Sequence, residues 1–94
     1  MKYICFFEYE AKDIDIVIQL FQKMLELRGK PGYPKSLMPT YHFVGDSKGF
    51  TLFDVDDPQQ LANHFIHYEP YMKFTWTPIV ESTDLAKAHV AKMK

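Results

Sequence analysis

His64 and His67 stand three residues apart, a spacing that on a helix puts both imidazoles on one face, where they can share a metal ion. A third ligand is not evident. His42 sits in an expected edge strand, and no His-Glu-x-x-His or Cys-x-x-Cys pattern accompanies the pair. With Gln60 and Asn63 they also read as a solvated helix face, and no metal site is assigned. His64 by itself can serve as an acid or base at the mouth of a cavity, because imidazole titrates near neutrality. It is the candidate catalytic residue, although no nucleophile, oxyanion donor or carboxylate partner is identifiable beside it.

Aromatic side chains offer a second kind of chemistry. Tyr3, Phe7, Tyr9, Tyr41, Phe43, Phe74 and Trp76 can line a pocket for a flat apolar ligand, with tyrosine hydroxyls orienting it. Tyr3, Phe7, Tyr41 and Trp76, together with His64, are the candidate ligand-binding residues. The same stripes also suit an ordinary core and a dimer interface. Cys5, the only cysteine, lies within Tyr3-Ile4-Cys5-Phe6-Phe7, forms no internal disulfide and reads as a buried structural thiol. Glu8, Asp54 and Glu81 are carboxylates on strands or strand ends, with no spacing that pairs them as an acid and a base.

Lys48-Gly49-Phe50-Thr51-Leu52-Phe53 superficially resembles the signature of the RNA-recognition motif. Thr51 stands where that signature wants glycine or alanine, and Leu52 where it wants a stacking aromatic. The formal charge is −1, from 11 basic and 12 acidic side chains, so nothing draws the chain generally to phosphate backbones or anionic membranes. Neither nucleic acid nor membrane is an expected partner.

The elements that must position these groups follow from local signals. Lys2 to Tyr9 is aromatic or β-branched at most positions, which suits a central strand. Asp13 can cap a helix running to about Arg28, where Gly29 and Lys30-Pro31-Gly32-Tyr33-Pro34 stop it. On that helix Ile14, Val17, Ile18, Phe21 and Leu25 form one stripe, which Ile16, Leu20, Met24 and Leu27 widen. Leu37 to Val44 and Lys48 to Val55 read as strands of a hairpin turned at Gly45-Asp46-Ser47. Asp57 as N-cap, Pro58 at the first helical position and Gln60 as capping-box partner start a second helix that ends before Pro70. Tyr71 to Val80 is the fourth strand, and Ser82-Thr83-Asp84 opens a terminal helix through Val90. The Lys30 to Lys35 connection, rich in glycine and proline, can be a lid over a cavity or a plain linker.

The order is β-α-β-β-α-β plus a helix, the ferredoxin-like pattern, whose antiparallel sheet runs 4-1-3-2 with strands 2 and 4 on the edges. Pro39 and Pro78 fall in those edge strands, where a missing amide donor is tolerated. Ninety-four residues at 47% hydrophobic and 24% charged fit one domain over 1–94 with one core. The chain has neither signal-peptide features near its start nor an apolar run of transmembrane length, so a cytoplasmic protein is expected. Both helices pack on one sheet face, yet the other is also apolar, with Ile4 and Phe6 opposite Tyr3, Cys5 and Phe7. An uncovered face of that kind exceeds what soluble monomers expose, and a second copy of the chain is the expected cover.

Gly49-Phe50-Thr51-Leu52-Phe53-Asp54-Val55-Asp56-Asp57, Leu61 and Phe74-Thr75-Trp76-Thr77-Pro78-Ile79-Val80 carry a resemblance over roughly the C-terminal half. The chain resembles a family of small proteins, defined as a domain of unknown function, within the dimeric α+β barrel superfamily. That superfamily includes antibiotic-biosynthesis-type monooxygenases, haem-degrading enzymes and muconolactone isomerases, which hold a hydrophobic or aromatic substrate between sheet and helices. The resemblance implies a homodimer, a small hydrophobic or aromatic ligand, and monooxygenase-like or isomerase-like turnover, with His64 where many such members carry a helix histidine. The asparagine and tryptophan of haem-degrading relatives have no counterparts here, and no cofactor is implied. The alternative is a structural or regulatory dimerisation module.

Overall fold

In the computed structural model, which describes residues 1–93, the first strand β1 covers Lys2–Tyr9. Lys94, the last residue of the expected domain, lies outside the described residues. Strand geometry sends alternate side chains to opposite faces. Tyr3, Cys5, Phe7 and Tyr9 therefore turn toward the core, and Ile4, Phe6 and Glu8 turn away from it.

A 3-10 turn at Ala11–Asp13 leads into α1, Ile14–Leu27. Asp13 occupies the N-cap position, but its side chain makes no capping bond. The buried sector of α1 is displaced from the expected stripe. Val17 and Met24 are buried, Leu20, Phe21 and Leu27 pack beside them, and Ile14, Ile18 and Leu25 are 46–50% exposed. The apolar arc is wide enough that the sequence alone leaves the rotation of the helix open. Packing against the second helix decides it, since the His67 ring reaches the Leu20 carbonyl at 2.7 Å. The helix ends at Leu27, with Arg28 as its C-cap, followed by Gly29 at φ 79°, a left-handed conformation that glycine adopts without steric cost.

The expected strand over 37–44 is instead two fragments, β2 at Lys35–Ser36 and β3 at Tyr41–His42. Both pair antiparallel with β4, Lys48–Asp54. The break has a local cause. The Met38 carbonyl accepts hydrogen bonds from the Ser36 and Thr51 hydroxyls, and Pro39 has no N–H to donate. The Leu37 N–H still donates to the Leu52 carbonyl at 2.9 Å, so the edge is interrupted without leaving the sheet.

The second helix, α2, is Pro58–Tyr68. The Asp57 carboxylate accepts from the Gln59 N–H at 2.8 Å, and Gln60 Oε1 accepts from Asp56 N–H, one residue before the expected partner. β5 follows at Met72–Pro78, then α3 at Ser82–Lys92. No described residue of α3 is buried.

The described residues form an α+β fold with three α-helices and a five-stranded antiparallel sheet, of a kind consistent with a ferredoxin-like fold. The strand order is β2-β4-β1-β5, with β3 also paired to β4. α1 and α2 cover one face, where two buried clusters form: Val17, Met24, Tyr68 and Met72 in one, and Cys5, Phe53 and Val55 in the other. The other face carries Ile4, Phe6, Phe50 and Leu52, with Tyr41 stacked on Phe50 at 5.9 Å, and among the described residues no helix packs over it, α3 having none of its residues buried. No helix among the described residues is long and apolar enough to cross a membrane.

Candidate functional site

Between the sheet and its helices lies a cavity of about 170 Å³. Phe7, Phe53 and Phe74 form its floor from β1, β4 and β5, while Val17 and Phe21 of α1 close it from above. Ile18 and His42, both exposed members of the lining, place its opening between α1 and the β3 edge. At that rim the Tyr9 hydroxyl meets His42 Nε2 at 2.7 Å.

His64 lines the cavity from α2 and is 2% exposed. Four rings enclose its imidazole: Phe74 at 4.8 Å, Phe53 and Trp76 at 5.2 Å, and Tyr68 at 5.3 Å between centroids. Its Nδ1 is buried and has no hydrogen-bond partner among the described residues. Burial, reinforced by the positive charge of Arg28 and by His67, pushes its pKa down to about 3. The expected histidine at a cavity mouth, titrating near neutrality, is therefore a deeply buried neutral imidazole.

The solvated helix face expected around it is not formed either. His67 Nε2 donates to the Leu20 carbonyl. Gln60 Nε2 donates to the Tyr33 carbonyl at 3.3 Å, and Asn63 Nδ2 to the Gly32 carbonyl at 2.8 Å, tying the glycine- and proline-rich connection to α2. None of residues 30–35 lines the cavity, so this connection is a latched linker and not its lid. Among the described residues no group of three or more His, Cys, Asp or Glu side chains is placed to hold a metal ion.

Arg28, at the C-terminal end of α1, reaches into the same space. Its Nη1 donates to Thr40 Oγ1 at 3.0 Å, and its guanidinium carbon lies 5.1 Å from the Phe53 ring and 5.4 Å from the Phe21 ring. That is the geometry of a cation held between aromatic faces. Its Nε is buried without a hydrogen-bond partner, and Arg28 takes part in none of the described ion pairs. Desolvation lowers its pKa, partly offset by Tyr68 and Cys5. Burial raises the Tyr68 hydroxyl and pushes the Cys5 thiol up to about 12, with Arg28 opposing both.

The family model described as Domain of unknown function (DUF3303) matches residues 1–93. The chain belongs to the DUF3303 family. No curated protein matches it.

In this DUF3303 chain the five candidate ligand-binding residues are spread over three environments. Phe7 and His64 line the cavity. Tyr3 and Trp76 pack edge-to-face at 6.4 Å in the cluster behind His64, outside the lining. Tyr41 lies on the opposite sheet face against Phe50. The strand carboxylates are engaged elsewhere: Asp54 with the amino group of Met1, Glu81 with Lys2, and Glu8 exposed. Sequence reasoning passed over Arg28, Thr40, Thr51 and Tyr68. One signal was available for Arg28, the single arginine in a chain whose other basic side chains are all lysine. Arginine, unlike lysine, keeps its charge and a planar fork of donors when desolvated.

Proposed function

We propose that this DUF3303 chain binds a small hydrophobic or aromatic metabolite between its sheet and helices, as a homodimer of the dimeric α+β barrel type. The observation that carries the reading is an apolar void of about 170 Å³ with two buried polar atoms in its lining residues, Arg28 Nε and His64 Nδ1, that have no partner among the described residues. A core serving packing alone fills such a space, and each unsatisfied buried polar group costs about 1–3 kcal/mol. A void of roughly 150 Å³ accommodates benzene, which sets the ligand scale at one ring.

His64 is the residue through which monooxygenase-like or isomerase-like turnover would pass, its neutral imidazole orienting a ring-shaped ligand by a hydrogen bond at Nδ1 and not by basicity, since its pKa lies near 3. Cys5 is a poor nucleophile by comparison, because its thiol stays protonated far above neutral pH.

A second reading, a structural dimerisation module, is favoured by the helix-free sheet face, where Phe6, Tyr41 and Phe43 are 41–53% exposed. The two readings place their work on opposite faces and are separable. Native mass spectrometry of gently purified protein reports both at once. A dimer carrying reproducible extra mass supports the metabolite reading. A clean dimer supports the module, and a monomer removes the second copy from both.

A further inference from the structure

On the reading that the cavity holds a ligand, we propose that this ligand is a one-ring monocarboxylate, its carboxylate gripped by the Nε edge of Arg28.

Among the described residues, Arg28 is the only lysine or arginine in the lining, which contains no aspartate or glutamate. A guanidinium cannot shed its proton to escape burial. Arg28 is only partly buried, but its Nε edge is shut away from water among apolar walls, and the ring faces of Phe53 and Phe21 supply only part of what water would give. The bond from Nη1 to Thr40 fixes the plane of the fork and leaves Nε–H free on another edge. That edge matches a carboxylate, whose two oxygens accept from the guanidinium in parallel.

His64 adds a second fixed point. Its imidazole and the guanidinium both pack on Phe53, at 5.2 and 5.1 Å from that ring. A neutral imidazole donates or accepts at Nδ1 without adding charge, so it suits the polar edge of the ligand rather than a second anionic group. Of the remaining walls, Phe7, Phe21, Phe74 and Tyr68 are aromatic and favour a ring, beside the aliphatic Val17, Ile18 and Met72. A phosphate ester fits poorly, since one cation and a greasy wall leave most of a dianion unmatched.

Calorimetric titration of the wild-type protein with benzoate, phenylacetate, benzamide and benzyl alcohol tests this. Benzoate or phenylacetate should bind at least about tenfold more tightly than the two neutral probes, the size expected of a charge-assisted bond. Arg28→Gln should abolish that preference, bringing benzoate affinity down at least about tenfold to the level of the neutral probes. Thr40→Val, which frees the fork without removing the charge, should weaken benzoate severalfold more than benzamide. Equal binding of acids and neutral probes to the wild type overturns the carboxylate assignment and leaves the ligand-site reading standing. No binding of any probe overturns both. The wild-type comparison holds even if Arg28→Gln fails to fold.

Discussion

The guanidinium carbon of Arg28 lies 5.1 Å from the centroid of the Phe53 ring, against which the His64 imidazole also packs at 5.2 Å. One fully buried ring thus serves two polar groups, holding the cation by its face and keeping the imidazole dry. Phe53→Leu retains much of the volume and loses both ring contacts. It should lower stability by about 1–2 kcal/mol in a urea titration. A loss within experimental error would show that the ring is not what holds either group.

His64 gives a pH signature. Its folded pKa, near 3, lies below the ordinary value of 6.5, so the unfolded chain binds the extra proton first. The stabilisation is complete above about pH 6.5 and drains away as pH falls toward 3. In denaturant titrations over that range the wild type should lose a few kcal/mol more than His64→Gln, because each pH step of one between the unfolded and folded pKa values removes roughly 1.4 kcal/mol. Parallel curves for the two proteins would mean that His64 is protonated in the fold.

Cys5 should be silent to thiol reagents. It is 1% exposed and its thiol titrates near 12, so little thiolate exists at pH 8. A chromogenic disulfide should react with the folded protein only at the rate of unfolding, and at once in denaturant. Rapid modification of the native protein would show that the cavity admits the reagent.

Gly49 is fixed by space. A Cβ there would run into the Tyr41 carbonyl oxygen and come within 2.5 Å of Phe7 Cζ. Gly49→Ala must therefore push β3 away from β4 or turn the Phe7 ring into the cavity. The expected cost is about 1–3 kcal/mol, read as a lowered thermal midpoint. An unchanged midpoint would mean that the β3 edge yields freely.

Phe6 is the position at which to probe the proposed second copy, since Phe7 faces the helices and Phe6 the open sheet face. Phe6→Glu should give a folded monomer in analytical ultracentrifugation. A dimer of unchanged affinity would move the interface elsewhere.

The legible parts of the fold were those with local causes. Asp57-Pro58 announced α2 because a cap and a first-turn proline act within one turn. The alternation in β1 and β4 was readable because a pleat has period two. The break between β2 and β3 was not, because the hydroxyl that helps capture the Met38 carbonyl belongs to Thr51, 13 residues away. Nor was the rotation of α1, whose apolar arc fits several orientations until α2 selects one. The site was half legible for the same reason. Phe7 and His64 were found by residue type, whereas Arg28 acquires its meaning from Thr40, Phe21 and Phe53, none of which adjoins it in the chain.

The cavity lies where the two buried clusters meet, bounded by Val17, Tyr68 and Met72 on one side and by Cys5 and Phe53 on the other. Volume that such apolar walls keep from water is lost on unfolding, so the unfolded chain occupies less space than the folded one and hydrostatic pressure favours it. The seam makes this small domain compressible at its centre. A molecule that fills it would harden the core against pressure as well as heat.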